Sequence, residues 1–377
     1  MEFLIEFEGM PQAILPAAVA TFTFTTDINS IYSTCRVVLQ ECLRSYFNKI
    51  RIGQSVTVTF IDDGKRYENY MAVLSYQKIP QAVGLATDQL DVRLISKFYF
   101  DQHVPVTACY EANVSSIISS ILDRGFPEVK KEIASTADPA ALRYQVGKRY
   151  QDFITDLLPF ATIDSLPVFL FSDHKGTLRL KGIAEAWKSD ISNATLLVTG
   201  RDTDTDPTSS VNNNIGTRRA YMRSYRVTGD GTNASSTVRS YATTAVFLDP
   251  HNTKERTLFN SSETYNPQSL RPTPNSEKIF GWEIAPQDAI NKATREAFER
   301  NMNMFTIDAT ANTFIGGDLA IMNNVRVIIP YADGVTRADG TPVTLGDGLY
   351  IVKGLQYTME APRNLKFTRI SLLQVSC

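Results

Sequence analysis

Histidine, the side chain most often used for acid–base chemistry near neutral pH, is scarce in this chain. Its 377 residues include three histidines, and none belongs to an H-E-x-x-H or G-x-S-x-G motif. His103 precedes a Val-Pro, His174 lies in a predicted turn, and His251 lies in a predicted loop. A hydrolase would need the fold to bring one of them beside a nucleophile. We therefore expect no catalytic residue, no cofactor and no metal site.

Cysteine is also rare. The four cysteines are Cys35, Cys42, Cys109 and Cys377, and no two of them form a C-x-x-C pair. This usage is not typical of a zinc site or of a disulfide framework. We predict four reduced thiols, with Cys35, Cys42 and Cys109 mostly buried.

Long apolar runs are missing too. No stretch approaches the roughly 18 consecutive apolar residues that would span a bilayer. The first twelve residues, MEFLIEFEGMPQ, lack the basic start and apolar core of a signal peptide. We expect a soluble protein, made in the cytoplasm, with no membrane segment.

Neither sign of charge is in excess. The chain has 38 Lys and Arg residues against 40 Asp and Glu residues, for a net charge of −2. A balance this close to neutral gives no reason to expect a specific nucleic-acid partner or an acidic membrane surface. The length favours two or three domains at about 150 residues per domain.

What the chain has in abundance is alternation of apolar and polar residues, the pattern of half-buried β-strands. Phe3, Ile5 and Phe7 alternate with glutamates, and Asp62-Asp63-Gly64 is typical of a hairpin turn. Further strands are predicted over 20–26, 51–60, 67–75 and 90–96, while 34–43 fits either a strand or a short helix. Residues 1–100 are predicted to form a first β-barrel.

A helical connecting layer is predicted over 101–165. Its first helix has a stripe at helical spacing, Val114, Ile117, Ile118, Ile121 and Leu122, and ends at Gly125. Asn113 or Ser115 could cap its start. A second helix presents Phe153, Ile154, Leu157 and Leu158 on one face, and Pro159 ends or bends it.

The remaining residues return to strands. The range 166–284 is predicted as the β-rich part of a second barrel region, with a hairpin turn at His174-Lys175-Gly176 and long polar loops at 199–217 and 227–237. The range 285–377 adds a helix and completes that barrel. Helix residues Ala289, Ile290, Ala293, Ala297 and Phe298 form its apolar face, and strands follow at 325–329, 348–354 and 365–375. The predicted fold is mixed α+β and β-rich, with two small antiparallel β-barrels of related fold and a helical layer between them.

Three polar clusters have an alternative, chemical interpretation. Asp202, Asp204 and Asp206 begin a calcium-loop pattern, but Pro207 and Asn213 stand where that pattern requires Gly and Glu, so a solvated acidic loop is favoured. The Gly229-Asp-Gly231 segment lacks the context of a phosphate loop and is interpreted as a turn. The third cluster consists of four arginines, Arg218, Arg219, Arg223 and Arg226. They could bind phosphate or an acidic partner, although the favoured interpretation is a strand with one charged face toward solvent.

Three stretches resemble the baseplate hub family of phage tails, which includes late-control-D-like tail proteins and the hub-like part of type VI secretion spike proteins. The first is 150–180, with Asp152, Phe153, Leu157 and Leu158 in a D-F-helix motif. The second is the helix 114–125. The third is the C-terminal G-x-Y-x-V strand, formed by Gly348, Tyr350 and Val352, with the strands that follow it.

This resemblance implies a structural protein and gives those seven motif residues a structural role. It implies a homotrimer whose six barrels join the sixfold tail tube to a threefold spike or fibre. Implied partners are a tail tube or tube-initiator protein, a central spike or tip protein, and baseplate wedge proteins. The implied location is the virion tail baseplate, assembled in the bacterial host cytoplasm. The alternatives are a distal tail or tube-adaptor protein and, more remotely, a hydrolase or carbohydrate-binding β-protein.

Overall fold

The computed structural model describes most of the N-terminal half and parts of the C-terminal half. The described residues are 2–10, 13–14, 18–41, 48–79, 88–102, 104–164, 166–188, 195–199, 219–228, 242–248, 255–261, 278–279, 288, 291–292, 295, 299, 306–311, 314, 319–328, 348–360 and 365–376.

The N-terminal strands follow the predicted alternation. They are β1 (Glu2–Phe7), β2 (Val19–Asp27), β3 (Thr34–Glu41), β4 (Ser55–Asp62), β5 (Lys65–Ile79) and β6 (Asp88–Ser96). The segment that fitted either a strand or a helix is thus the strand β3. The turn between β4 and β5 is a two-residue hairpin loop in which Asp63 and Gly64 both have positive φ, as Asp-Gly favours.

The middle of the chain combines two helices with short strands. Its elements are β7 (Val106–Ala112), α1 (Val114–Gly125), β8 (Lys131–Ile133), β9 (Ala141–Lys148), α2 (Tyr150–Leu157), β10 (Thr162–Ile163), β11 (Leu166–Ser172), β12 (Leu178–Gly182) and α3 (Ile183–Lys188). Both predicted helices are present. The Asn113 side chain caps α1 by accepting from the Ser116 amide at 3.0 Å, and Pro159 sits in a 3-10 turn that ends α2.

The C-terminal strands are β13 (Thr195–Thr199), β14 (Arg219–Thr228), β15 (Ala242–Leu248), β16 (Glu255–Ser261), β17 (Lys278–Ile279), β18 (Thr306–Ala311), β19 (Asn324–Ile328), β20 (Gly348–Glu360) and β21 (Leu365–Ser376). The strand predicted at 348–354 extends to Glu360, so that β20 has 13 residues. The predicted loops 199–217 and 227–237 lie almost entirely outside the described residues.

One twelve-stranded sheet has two barrel-like halves, whereas β11, β12 and β15 to β17, which fall in the predicted second-barrel range, lie in other sheets. Its order is β1-β4-β5-β6-β3-β2-β20-β19-β13-β14-β18-β21, and a further β20–β21 pairing closes the last six strands into a ring. The two halves are joined because β20 pairs with β19 near its start and with β2 from Gly354 to Glu360. The second half is not purely antiparallel, since β13 pairs in parallel with both β14 and β19.

The helical layer contains strands that the sequence pattern did not predict. These strands are β7, β8, β9 and β10: β7 pairs with β9 in a separate two-stranded sheet, while β10 and β8 join the predicted hairpin strands β11 and β12 in a four-stranded sheet. The boundary predicted at residue 165 therefore runs between two paired strands, because Ile163 of β10 faces Leu166 of β11. The division of the chain into four parts otherwise stays a prediction.

β11 is buried along its whole length, which explains why its sequence is a continuous apolar run rather than an alternation. Phe169 and Phe171 belong to the core of the large sheet. Val168 and Leu170 belong to the core around α1 and α2. This strand therefore attaches the helical layer to the barrels.

Part of the third predicted helix is described, and it contacts the helical layer through polar side chains. Asn291 Nδ2 donates to the Phe160 carbonyl at 2.8 Å, and Arg295 Nη1 donates to the Val168 carbonyl at 2.6 Å. Asp288 forms a buried ion pair with Arg143 at 2.7 Å. The predicted apolar face of this helix lies outside the described residues.

Candidate interaction surfaces

Three of the four motif residues on α2 and the 3-10 turn after it belong to the core of the helical layer. Phe153, Leu157 and Leu158 are buried among the α1 side chains, and Phe153 stacks on Tyr110 at 5.6 Å between ring centroids. Asp152 is half-buried and accepts from Arg149 Nε at 2.9 Å. These contacts stabilise the helix and offer no ligand site.

The C-terminal motif residues lie on β20. Tyr350 and Val352 are fully buried in the core of the large sheet. Gly348 is opposite Val327 at the end of the β19 ladder. Tyr350 and Val352 therefore pack the core, and the motif role that the resemblance implies stays a prediction.

His174 lies in the predicted turn but is completely buried. Its ring faces Phe60 of the first half and Tyr357 of the second, and Asn69 Nδ2 donates to its carbonyl at 2.9 Å. Burial lowers the pKa of His174 to about 4, so the imidazole is neutral at physiological pH. A side chain enclosed in this way packs the junction of the halves and does not present itself to a substrate.

The other residues with a chemical interpretation contribute little to a site. His103, His251, Asp202, Asp204, Asp206, Arg218 and the Gly229–Gly231 turn lie outside the described residues. Arg219 and Arg223 lie on β14, and Arg226 is exposed on the same strand. The described residues contain no cluster of three or more His, Cys, Asp or Glu side chains that could hold a metal ion.

The cysteine prediction was wrong in one position. Cys35 is buried in the barrel core, and burial raises the pKa of its thiol. Cys109 is exposed, because it lies on the outer face of β7 opposite Tyr144. Cys42 and Cys377 lie outside the described residues.

Within the described part of the chain, no helix has the length and apolar character needed to cross a membrane.

The β7–β9 sheet carries the most unusual surface of the described residues. Along β9, the apolar side chains Leu142, Tyr144 and Val146 point to solvent, while Arg143 and Gln145 point inward. A strand on a globular surface normally has the opposite orientation. Contiguous exposed apolar side chains are typical of a protein–protein contact.

A cleft of about 620 Å³ separates the first barrel half from the helical layer. Phe98 and Phe126 form part of its wall, and Lys97 and Lys130 lie along it. Its volume is in the range of small-ligand sites. Nothing in its lining selects one class of ligand.

No protein-family model matches the sequence, and no curated protein is a significant match. Solved structures do match. The tail protein from Neisseria meningitidis is 14% identical, with a TM-score of 0.61 over 99% of this chain and 96% of that chain. The 43 kDa tail protein of prophage MuSo2 from Shewanella oneidensis is 11% identical, with a TM-score of 0.59 over 100% of this chain and 98% of that chain. A chain of the Francisella PdpA–VgrG complex is 9% identical, with a TM-score of 0.53 over 99% of this chain and 58% of that chain.

These similarities show that the chain has the fold of phage tail proteins, which a chain of a VgrG complex shares. The resemblance to baseplate hub proteins is confirmed at the level of the fold, and so is the β-rich α+β class. The matching structures are tail and secretion-system proteins, not enzymes. At identities this low, partners and assembly do not follow from the likeness.

The outward apolar row was the surface that sequence reasoning missed. The signal was present, because Leu142, Tyr144 and Val146 occupy every second position. That alternation predicts a strand. It would also have predicted that these side chains point inward, because a local pattern does not contain the Arg143–Asp288 pair that holds the polar face inside.

Proposed function

We propose that this chain is the central hub of a phage tail baseplate, a structural protein whose homotrimeric ring joins the tail tube to the spike or fibre. The observation that carries the proposal is a single sheet with two barrel-like halves, in a chain with the fold of tail proteins. Three copies would present six such halves. A threefold ring with two similar units per copy can meet a sixfold tube on one side and a threefold spike on the other.

In this proposal the partners are other copies of the chain, the tail tube or its initiator, the central spike or tip protein, and the wedge proteins. The protein is assembled in the host cytoplasm and resides in the virion tail baseplate. The helices α1 and α2, placed between the two halves in the sequence, support a hub over a distal tail or tube-adaptor protein, which usually lacks such a layer.

Light scattering tests the ring directly. We expect a particle of three times the 42.0 kDa chain mass for the protein alone or, after its tube and spike proteins are added, a larger complex that contains three copies of this chain. A protein that stays monomeric with both partners present contradicts the proposal. Hydrolysis of a cell-wall polysaccharide that is lost on changing His103, His174 or His251 would favour the hydrolase alternative instead.

A further inference from the structure

Large hydrophobic side chains that are well exposed fall into two groups among the described residues. One group, the ribbon patch, consists of Val104, two residues before the start of β7, and Leu142, Tyr144 and Val146 on β9. The other, the barrel patch, consists of Ile52, Tyr70 and Leu74 on or beside β5. One further exposed large hydrophobic side chain among the described residues, Leu365 at the start of β21, belongs to neither group.

The ribbon patch lies on a surface that is built to face outward. Its polar inner face is held in place, because Arg143 pairs with Asp288 at 2.7 Å and Gln145 Nε2 donates to the Lys148 carbonyl at 2.8 Å. The strand cannot simply turn over to bury its apolar side chains. Among the described residues, no third strand pairs with either edge of the β7–β9 sheet. Water therefore covers the patch in the isolated chain, and a protein surface would cover it more favourably.

The barrel patch is equally fixed. The Gly53 amide donates to the Val73 carbonyl at 2.8 Å, so Ile52 and Leu74 flank the same hydrogen bond. Tyr70 lies on the same strand, where its hydroxyl donates to Glu68 at 2.8 Å. Val146 and Ile52 are similarly exposed, at 67% and 65%.

Two separate patches on one chain suit a ring of identical copies. A twofold dimer uses one surface twice, whereas each copy in a threefold ring must present two different surfaces, one to each neighbour. We propose that the ribbon patch of one copy packs against the barrel patch of the next copy. This inference rests on the homotrimer proposed above and names the surfaces that would form it.

The charges beside the two patches are complementary. Glu111 is exposed on the outer face of β7, opposite Leu142 of the ribbon patch. Arg51 is exposed next to Ile52 of the barrel patch. Neither side chain has an ion-pair partner among the described residues. A head-to-tail contact gives each of them a partner of opposite charge, which favours this pairing of surfaces over a contact between two ribbon patches.

Mixing two defective variants tests the head-to-tail arrangement. The ribbon variant carries Tyr144→Asp and Val146→Asp, and the barrel variant carries Ile52→Asp and Leu74→Asp. Alone, each variant should associate on the order of a hundredfold more weakly and run as a monomer in light scattering. An equimolar mixture should form a heterodimer of twice the chain mass, because one intact ribbon patch then meets one intact barrel patch.

The control is Leu365→Asp, which changes an exposed apolar side chain outside both patches and should leave the trimer intact. Circular dichroism of each variant verifies that the fold is kept. If both double variants remain trimeric, the surfaces are wrong while the hub proposal stands. If the variants are monomeric but their mixture stays monomeric, the two patches do not meet each other. A wild-type chain that never forms a trimer overturns both proposals.

Two independent measurements sharpen the result. Glu111→Arg and Arg51→Glu should each weaken the trimer about fivefold, and the double charge reversal should restore it. Alkylation of Cys109, followed by peptide mass mapping, should be slower in the wild-type trimer than in the monomeric barrel variant, whose substitutions are on neither β7 nor β9. Equal alkylation rates, or no rescue by the double reversal, would contradict a contact at the outer face of β7.

Discussion

The barrel sheet and the helical layer stabilise the same chain by different means. The barrel core is apolar and aromatic: Phe24 packs edge-on against Phe60 at 4.9 Å, and Phe60 packs against Tyr357 at 5.5 Å. The helical layer also has an apolar core, but its outer contacts depend on buried polar groups such as the Arg143–Asp288 pair. Dispersion and burial act without regard to pH, whereas buried charges respond to it.

The strands β2 and β9 show this difference most directly. Both alternate with a period of two, but β2 buries Phe22 and Phe24 while β9 buries Arg143 and Gln145. The lesson is that alternation identifies a strand, and only its neighbours decide which face is inside. Four predictions test how far the two regions differ, from the largest expected effect to the smallest.

Phe24→Ala should give the largest loss of stability, about 3–5 kcal/mol, because it opens a cavity in the aromatic core. The matched change on the inverted strand, Tyr144→Ala, should alter the free energy of unfolding of the monomer by less than about 0.5 kcal/mol. Urea denaturation at a concentration where the chain is monomeric measures both. Similar losses at the two positions would remove the distinction between the strands.

Arg143→Met should lower the free energy of unfolding by about 3–4 kcal/mol near pH 7, because it leaves the buried Asp288 carboxylate without its partner. Burial already raises the pKa of Asp288, and the arginine opposes that shift. Removing the arginine raises the pKa further, so the deficit should shrink as the pH is lowered and the carboxyl is protonated. Phe24→Ala is the control, since its deficit should not change with pH.

His174 should make the junction of the two halves sensitive to acid. Its pKa is about 4 in the folded chain and near 6.5 when unfolded, so the unfolded state binds a proton first as the pH falls. Stability present above about pH 6.5 should be lost progressively toward pH 4, by about 3 kcal/mol in total. In His174→Leu, the slope of unfolding free energy against pH should be smaller across this window. An unchanged slope would show that the imidazole is not buried as a neutral group.

Gly176→Ala should have the smallest effect of the four. It should lower the free energy of unfolding by about 2 kcal/mol more than the same substitution at a control glycine does. A Cβ at this position would lie 1.9 Å from the Glu68 carbonyl oxygen, so β5 and the His174 turn would have to separate. Gly64→Ala is the control, because its φ of +77° is nearly the same as the +74° of Gly176 but no atom lies within 4 Å of the added Cβ. Equal losses in thermal unfolding would mean that backbone conformation alone decides the cost.

Local elements were predictable from the sequence because their causes are local. The α1 stripe, its Asn113 cap, the Asp63-Gly64 turn and the alternation of β1 and β2 all depend on residues close in the chain. The resemblance to hub proteins depended on the order of such elements, and it led to the correct fold.

The remaining features depend on partners far apart in the sequence. The pairing of β2 with β20 joins residues more than 300 positions apart, and the burial of His174 requires Phe60 and Tyr357 from different halves. The inward orientation of Arg143 depends on Asp288. No local pattern contains these contacts, so the inverted β9 surface could not be assigned from the sequence.

The long strand β20 has a mechanical consequence. Seven residue pairs, from Thr21–Glu360 to Asp27–Gly354, link it to β2, and its other edge follows β21. Bending the two halves apart would require this whole ladder to break together, because the hydrogen bonds of one strand share the strain. The chain should therefore transmit displacement as one rigid part, and in the ring proposed above any change in diameter would take place at the contacts between copies.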